Sequence, residues 1–446
     1  MPFFTSTQRQ YLKLLLSIAP AVALEQVISA SVNMVDTMMI GQAMGVSEVA
    51  AVGLANQILF LFILVTFGLI SGSTVFSGQY FGDGDMASVH KIMGIGFGGN
   101  LVVALIFFVP AFFVPELLIG IYSSDPVVIE MGAGFLRITS FSYFFMAIVF
   151  TRNSAMRSVR QTKLPMLNTA VALLVNVVLN YLVLFVFELG LAGVAWSTLA
   201  VRFLELVLQQ VLIWCYRVPI QAKLKAYFDF DLSFVRGFFK VAVFILFNEI
   251  TWALGNSAYH IAFGIVGTEA QGTMQMSMSV VNLFQVLGNS VAISTSIMIS
   301  NTLGAGKLDL AKVYARYCMW FTLVAAIGMG LMLMALAEPV ARFYGLEPDI
   351  HHAVVLVLRV AAATMLVRTL NFTIIVGILR SGGDTKYCFF LELGTVYLIG
   401  LPLGFAGAIM GLPVHVVYLL MMSEELTKLV IALRRVLGYR WANKLV

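Results

Sequence analysis

KLLLSIAPAVALEQVISASVNMVDTMMIG, residues Lys13–Gly41, is long and apolar enough to cross a bilayer, yet it carries Glu25, Asn33 and Asp36. A carboxylate at membrane depth costs about 2.5–3.5 kcal/mol on insertion scales, so such a residue is a functional candidate by default. Half a chain later the pattern returns. An offset of 223 lays Ile40-Gly41 on Phe263-Gly264, Asn33 on Asn256, and Glu25-Gln26 on Asn248-Glu249. Each half therefore opens with a membrane helix bearing a carboxylate–amide pair, and the chain reads as a duplication.

Composition agrees. Of 446 residues, 60% are hydrophobic and 11% charged, against about 25% charged in soluble domains. With a mean hydropathy of +0.95 this is a polytopic membrane protein. Apolar runs of spanning length recur about every 37 residues, giving an expected twelve helices, the first over 12–41 and the last over 412–437. The net charge of +5 does not imply a nucleic-acid partner. All but five of the 27 Lys and Arg, Lys428 among them, fall at the termini, in the even-numbered loops or at the helix ends beside them. That bias puts both termini in the cytoplasm. The exceptions are Arg342 in an odd-numbered loop and Arg137, Arg202, Arg359 and Arg368 inside spans. Three cysteines, Cys215, Cys318 and Cys388, imply no disulfide framework. The start imitates a signal peptide, but the apolar pattern runs on past it and matches an internal helix, so it is expected to stay.

The repeat extends beyond the first helix. At an offset of 222, Gly82-Asp-Gly-Asp85 lies on Gly304-Ala-Gly-Lys307, Tyr122–Pro126 on Tyr344–Pro348, and Leu136-Arg137 on Leu358-Arg359. At 223, Arg157–Lys163 lies on Arg380–Lys386. Each half has an even number of spans, so the two enter from one side as parallel repeats, with a working cavity expected between them. The expected division is a first lobe over 1–216, a cytoplasmic linker over 217–234 and a second lobe over 235–446. The linker's Lys223, Lys225, Asp229 and Asp231 suggest a solvated loop. The glycine-rich loop at 82–85 keeps its glycines but not its acids in the second copy, which favours a helix–helix turn over ion binding.

Asp36 lies about 35 Å along its helix from Lys13, and Glu249 about 20 Å from Arg236, so neither faces lipid cheaply. Asn176 and Asn180, one turn apart in the fifth span, and Thr198 in the sixth are available to one pocket with Asp36. Oxygen ligands suit Na⁺, whereas Asp36 alone suffices for a proton; the asparagines equally suit interhelical hydrogen bonding. The second half puts Tyr259, Ile399 and Leu403 opposite Asp36, Asn176 and Asn180, so the ion site is expected once only. Candidates for substrate or proton contact are Glu249, Arg368, Gln57, Met274 and Gln285. Arg202 and Glu205, spaced i, i+3, read as a structural pair, and Arg137 and Arg359 as ties between helices. No metalloprotease, P-loop, nucleophile-elbow or CxxC pattern is present, so neither an enzyme nor a self-contained ATP-driven pump is expected.

The chain resembles the multidrug and toxic compound extrusion (MATE) transporters over essentially its whole length. The likeness is carried by Met34-Val-Asp-Thr-Met-Met-Ile-Gly41, Asn248-Glu-Ile-Thr-Trp-Ala-Leu-Gly255, Ile378-Leu-Arg-Ser-Gly-Gly-Asp-Thr-Lys386, Ala192-Gly-Val-Ala-Trp-Ser-Thr198 and Ser423-Glu-Glu-Leu-Thr-Lys428 with Trp441. The resemblance implies an all-α integral membrane protein of two pseudo-symmetric six-helix lobes forming a V-shaped central cleft. It implies export of cationic, aromatic drugs in exchange for Na⁺ or H⁺ across a bacterial-type inner membrane. It matches the family's cation site to Asp36, Asn176, Asn180 and Thr198, and the acid of its seventh span to Glu249. The acid that some members carry in the tenth span is missing, so Glu249 is expected to meet cationic substrate or a proton, with Arg368 nearby. Beyond the coupling ion no cofactor is expected. The expected partners are small-molecule substrates and the bilayer, with no nucleic acid and no obligate protein partner. The alternative is a flippase for a lipid-linked precursor, which needs a strongly basic cleft.

Overall fold

Away from water a backbone must satisfy its own N–H and C=O groups, and a chain this apolar does so by closing them into helices. The computed structural model describes residues 6–343 and 347–446. The first half contains α1 (Ser6–Ala43), α2 (Val46–Asp83), α3 (Met86–Phe113), α4 (Pro126–Thr139 continued by Ser142–Ser158), α5 (Lys163–Val186) and α6 (Gly190–Cys215). The second contains α7 (Leu232–Val266), α8 (Thr268–Gly304), α9 (Leu308–Phe343), α10 (Pro348–Gly382), α11 (Thr385–Ile409) and α12 (Val414–Leu437). Ten of these are each long and apolar enough to span a membrane, and the two pieces of α4, bent by 51°, together make an eleventh. The twelfth is α12, whose Glu424, Glu425 and Lys428 set it apart by composition. The described residues thus form the expected all-α, twelve-helix duplicated membrane protein. The side chain of Asn33 and residues 344–346, which carried part of the sequence repeat, lie outside the described residues.

The duplication is written into the turns. Gly84 (φ 85°) ends α2 with its N–H on Phe81 O and the Asp85 N–H on Tyr80 O. Gly306 (φ 70°) ends α8 with the equivalent bonds to Leu303 O and Thr302 O. This is the left-handed helix stop that glycine allows without steric cost. The loop at 82–85 is therefore the expected helix–helix turn, and Asp85 caps α3 by accepting from Ser88 N–H at 3.0 Å. Left-handed residues recur in register elsewhere: Arg160 with Gly383, Glu188 with Gly411, and Arg217 with Tyr439. In each of these three pairs the first half holds an ordinary residue at positive φ, so the turn geometry outlasts the glycine.

By packing, the chain divides into two compact units: one is Leu24–Ala242, the other Val243–Val446 with the described residues up to Ala23. The changeover falls inside α1 and α7. Tyr11, Leu15, Ile18 and Val22 of α1 share a core with Ile297, Met298, Tyr314 and Cys318. In the other unit Phe238 of α7 meets Phe76, and a Cβ on Gly72 would press on Ala242. Residues 217–234 travel with the first half. Their Lys223 and Lys225 are exposed, as a solvated loop requires, but Val218 and Ile220 are buried. Tyr227 Oη donates to Ile220 O at 2.8 Å, and His90 Nε2 lies 2.9 Å from Pro219 O. Gly94 of α3 makes room for this segment, since a Cβ there would overlap the Tyr227 carbonyl.

Two buried ion pairs repeat as well. Glu25 of α1 meets Arg157 at the end of α4, with Nη2–Oε1 2.5 Å and Nε–Oε2 3.3 Å. Glu249 of α7 meets Arg380 at the end of α10, with Nη1–Oε1 2.8 Å. The two arginines stand at the repeat offset, and the two glutamates one position beyond it. Glu249 is therefore the counterpart of Glu25 in a structural clamp.

Removing one partner of a buried pair strands the other charge and costs about 3–5 kcal/mol. Glu249→Gln, Arg380→Gln and Arg157→Gln should each lower the melting temperature in detergent, with Glu249→Gln/Arg380→Gln losing less than the two singles summed. A Glu249→Gln protein as stable as the parent would remove the clamp assignment. Gly94→Ala should cost about 1–3 kcal/mol as overpacking and open Lys223 and Lys225 to trypsin. Gly98→Ala, whose Cβ meets nothing within 4 Å, should leave the digestion unchanged. Identical digestion of the two would show that the linker is not docked.

Candidate ion site

Asp36 sits seven residues before the end of α1, in the same helix that Glu25 anchors. Asn176 and Asn180 are both buried on one face of α5. Asn180 Nδ2 donates to Asp36 Oδ1 at 2.7 Å, and Asn180 Oδ1 accepts from the Ser197 hydroxyl of α6. Asn176 also bonds to Asp36 through its side chain. Its Oδ1 is buried and has no hydrogen-bond partner among the described residues. Thr198 Oγ1 donates to Val194 O at 2.9 Å.

Asp36, Thr198 and Arg202 line one cavity of about 40 Å³, together with Asn56, Thr139 and Tyr143. That volume admits a few waters or a small ion, but is far below the several hundred Å³ of a drug pocket. Arg202 is held by Glu205 at 2.9 Å, the pair expected from their spacing. The guanidinium thus stands beside Asp36 with its charge already compensated. The structure brings Asp36, Asn176, Asn180 and Thr198 together, though not with every oxygen inward. Asn180 turns its NH₂ to Asp36 and its oxygen to Ser197, so the uncommitted amide oxygen belongs to Asn176.

The remaining candidates are dispersed. Gln57 is exposed, and its neighbour Asn56 lines the cavity instead. Arg368 and Gln285 do meet: the Gln285 amide oxygen, oriented to satisfy both groups, accepts from Arg368 Nη2 at 2.8 Å. The Glu249 carboxylate pairs with Arg380 rather than with Arg368. Met274 is buried among Ala262, Phe263 and Val281 and offers no open wall to a ligand. Arg137 binds Glu116 at 2.8 Å and Phe112 O at 3.1 Å, tying helices as expected. Lys428, counted among the cytoplasmic positives, is buried beside three glutamates. The sequence signal for it was the SEELTK motif at 423–428, charged at a spacing that lays Glu424 and Lys428 on one face.

The comparisons with known proteins follow this architecture. The MatE family model matches residues 21–182 and 244–406, one stretch in each half. The uncharacterized transporter YisQ of Bacillus subtilis is 23% identical over 414 residues, covering 92% of this chain and 90% of that protein. The multidrug resistance protein MdtK of Yersinia enterocolitica is 24% identical over 402 residues, covering 88% and 86%. Among solved structures, a mutant of the Vibrio cholerae MATE transporter VcmN superposes with a TM-score of 0.88 at 17% identity, covering 97% of this chain and 98% of that one. A MATE structure in the straight conformation gives 0.87 at 13% identity over 96% of each chain. With the family model matched over most of its length in both halves, this chain belongs to the MatE family of transporters.

Proposed function

We propose that the chain is a secondary antiporter exporting small cationic, aromatic compounds in exchange for Na⁺ or H⁺, in a bacterial-type inner membrane with both termini cytoplasmic. The observation that carries this reading is Asp36: an acid in a membrane helix, fastened to α5 by Asn180 and open to a cavity of ion size. A carboxylate there exchanges one small cation or proton at a time. Binding removes its charge, weakens the pull on the Asn180 amide and changes the balance with Arg202. Two arrangements of α1, α5 and α6 that differ in this contact are biased by the ion, and alternating access follows. Because the coupling is a difference in binding free energy, ion and drug must weaken each other reciprocally.

A cavity of about 40 Å³ holds the ion and not the drug, so the two ligands are assigned to separate places. The substrate class is supported by MdtK, which is named for multidrug resistance. A flippase for a lipid-linked precursor is not favoured, because Arg137 and Arg368 are already engaged with Glu116 and Gln285. For Na⁺, Asp36, the Asn176 oxygen and Thr198 are the available donors; for H⁺, Asp36 suffices.

Efflux of a fluorescent cationic dye from proteoliposomes, under Na⁺ and pH gradients imposed separately, tests the reading. Gradient-driven efflux is expected from the parent chain and should fall to the level of protein-free vesicles for Asp36→Asn. The gradient that drives it names the ion. Undiminished driven efflux by Asp36→Asn would sink the coupling assignment, and no efflux under either gradient would sink the drug assignment.

A further inference from the structure

The repeat places Tyr259 of α7 opposite Asp36, so the second half has no acid where the first has one. An acid reaches that position from another helix. The Tyr259 hydroxyl donates to Glu424 Oε2 of α12 at 2.7 Å. Gly400 of α11 allows the approach, since a Cβ there would overlap both Tyr259 Oη and Glu424 Oε2.

The charges around Glu424 do not balance. Lys428 Nζ lies 3.0 Å from Glu392 Oε1 of α11, 3.6 Å from Glu425 Oε1 and 3.7 Å from Glu424 Oε1. From α10, Arg368 faces Glu425, and Asn371 Nδ2 donates to Glu425 Oε2 at 2.6 Å. Arg368 is itself held by Gln285 of α8 and by Tyr418 of α12. Glu249 of α7 faces Glu392 but is compensated by Arg380. Three carboxylates therefore share the charges of Lys428 and Arg368, leaving one negative charge in excess. Glu392, Glu424 and Lys428 are 3–5% exposed, where an uncompensated charge is costly.

A second observation is independent of this count. Asn371, 2% exposed, has a buried Oδ1 with no hydrogen-bond partner among the described residues, although its other amide atom is bonded to Glu425. The cluster is thus short of one positive charge, and beside Glu425 it holds a buried amide oxygen with no donor. A proton on one of the carboxyls supplies the missing charge. A metal ion fits less well, because no three His, Cys, Asp or Glu side chains among the described residues converge to hold one. Glu424 is no closer to the ammonium than Glu425 and lacks the Asn371 and Arg368 contacts of Glu425.

We propose that this cluster is a second coupling site, at which Glu424 takes up and releases a proton with Tyr259 as its hydrogen-bond partner. The step is simple protonation: an O–H bond forms on the Glu424 carboxylate, and the excess charge of the cluster goes from minus one to zero. The proposal rests on the ion-coupled reading above, and it gives each half its own exchangeable charge. In the first half the acid is on the opening helix; in the second it has moved to the closing helix.

Infrared difference spectroscopy of the full chain in lipid, stepped in pH, reads protonated carboxyl groups directly and needs no transport. A pH-dependent carboxyl C=O band is expected in Asp36→Asn, where Asp36 cannot contribute, and its intensity is expected to be lost when Glu424→Gln is added to that background. In Tyr259→Phe the band should persist but move to higher frequency, because the carboxyl has lost its O–H donor. A band unchanged by Glu424→Gln overturns the proposal. If Glu424→Gln does not fold, an unshifted band in Tyr259→Phe overturns it instead. The dye-efflux assay separates the two readings: efflux indifferent to both gradients, beside a band lost in Glu424→Gln, would end the antiporter reading and leave the protonation site standing.

Discussion

The fold hangs on two buried guanidinium–carboxylate pairs, Arg157–Glu25 and Arg380–Glu249. In lipid, apolar surfaces do not drive helices together as they do in water, because the acyl chains are as apolar as leucine. Which helices meet, and at what register, is left to close packing and to polar contacts made inside the bundle. The pairs fasten the opening helix of each half to the end of its fourth, and other contacts keep the same company. Ser158 Oγ donates to Thr74 O in the first half, and Ser381 Oγ donates to Ser296 O in the second. These side chains occupy equivalent places in the duplication, so each half is pinned by the same polar points.

On that shared frame the chemistry has diverged. Asp36 and Tyr259 stand at equivalent positions, yet the first accepts from an asparagine of α5 and the second donates to a glutamate of α12. The helices have diverged with it. Residues 373–379 and 396–400 are π-helical in the second half where their first-half counterparts are α-helix, and the first half has its own π-helical turn at Leu182–Val186. Such wide turns recur at functional places. The segment at 396–400 ends on Gly400, the residue that admits Tyr259 to Glu424.

The duplicated, twelve-helix plan was legible because apolar length, positive-inside charge and glycine-bearing turns all repeat at one nearly constant offset. The Asp36, Asn176, Asn180 and Thr198 set was legible from helical spacing together with the family resemblance. What stayed hidden were choices of partner. Glu249 as a lone acid in a span looks like a ligand group, and only the fold brings Arg380 to it from the end of a helix three spans later. Lys428 lies close enough to Arg434 and Arg435 to pass for an interfacial cation, but its helical face turns it toward Glu392.

The division of α1 between the two units has a consequence for biogenesis. Tyr11 packs its ring against Tyr314 and Tyr317 at 5.8 and 5.5 Å, and those partners are encoded in the ninth span, well into the second half of the chain. At roughly 5–20 residues per second, the ribosome needs about 15–60 s to deliver them. Until then the leading part of the first helix has been made without its core. The first six spans therefore do not complete their packing ahead of the rest, because the leading turns of α1 find their core only in the second half.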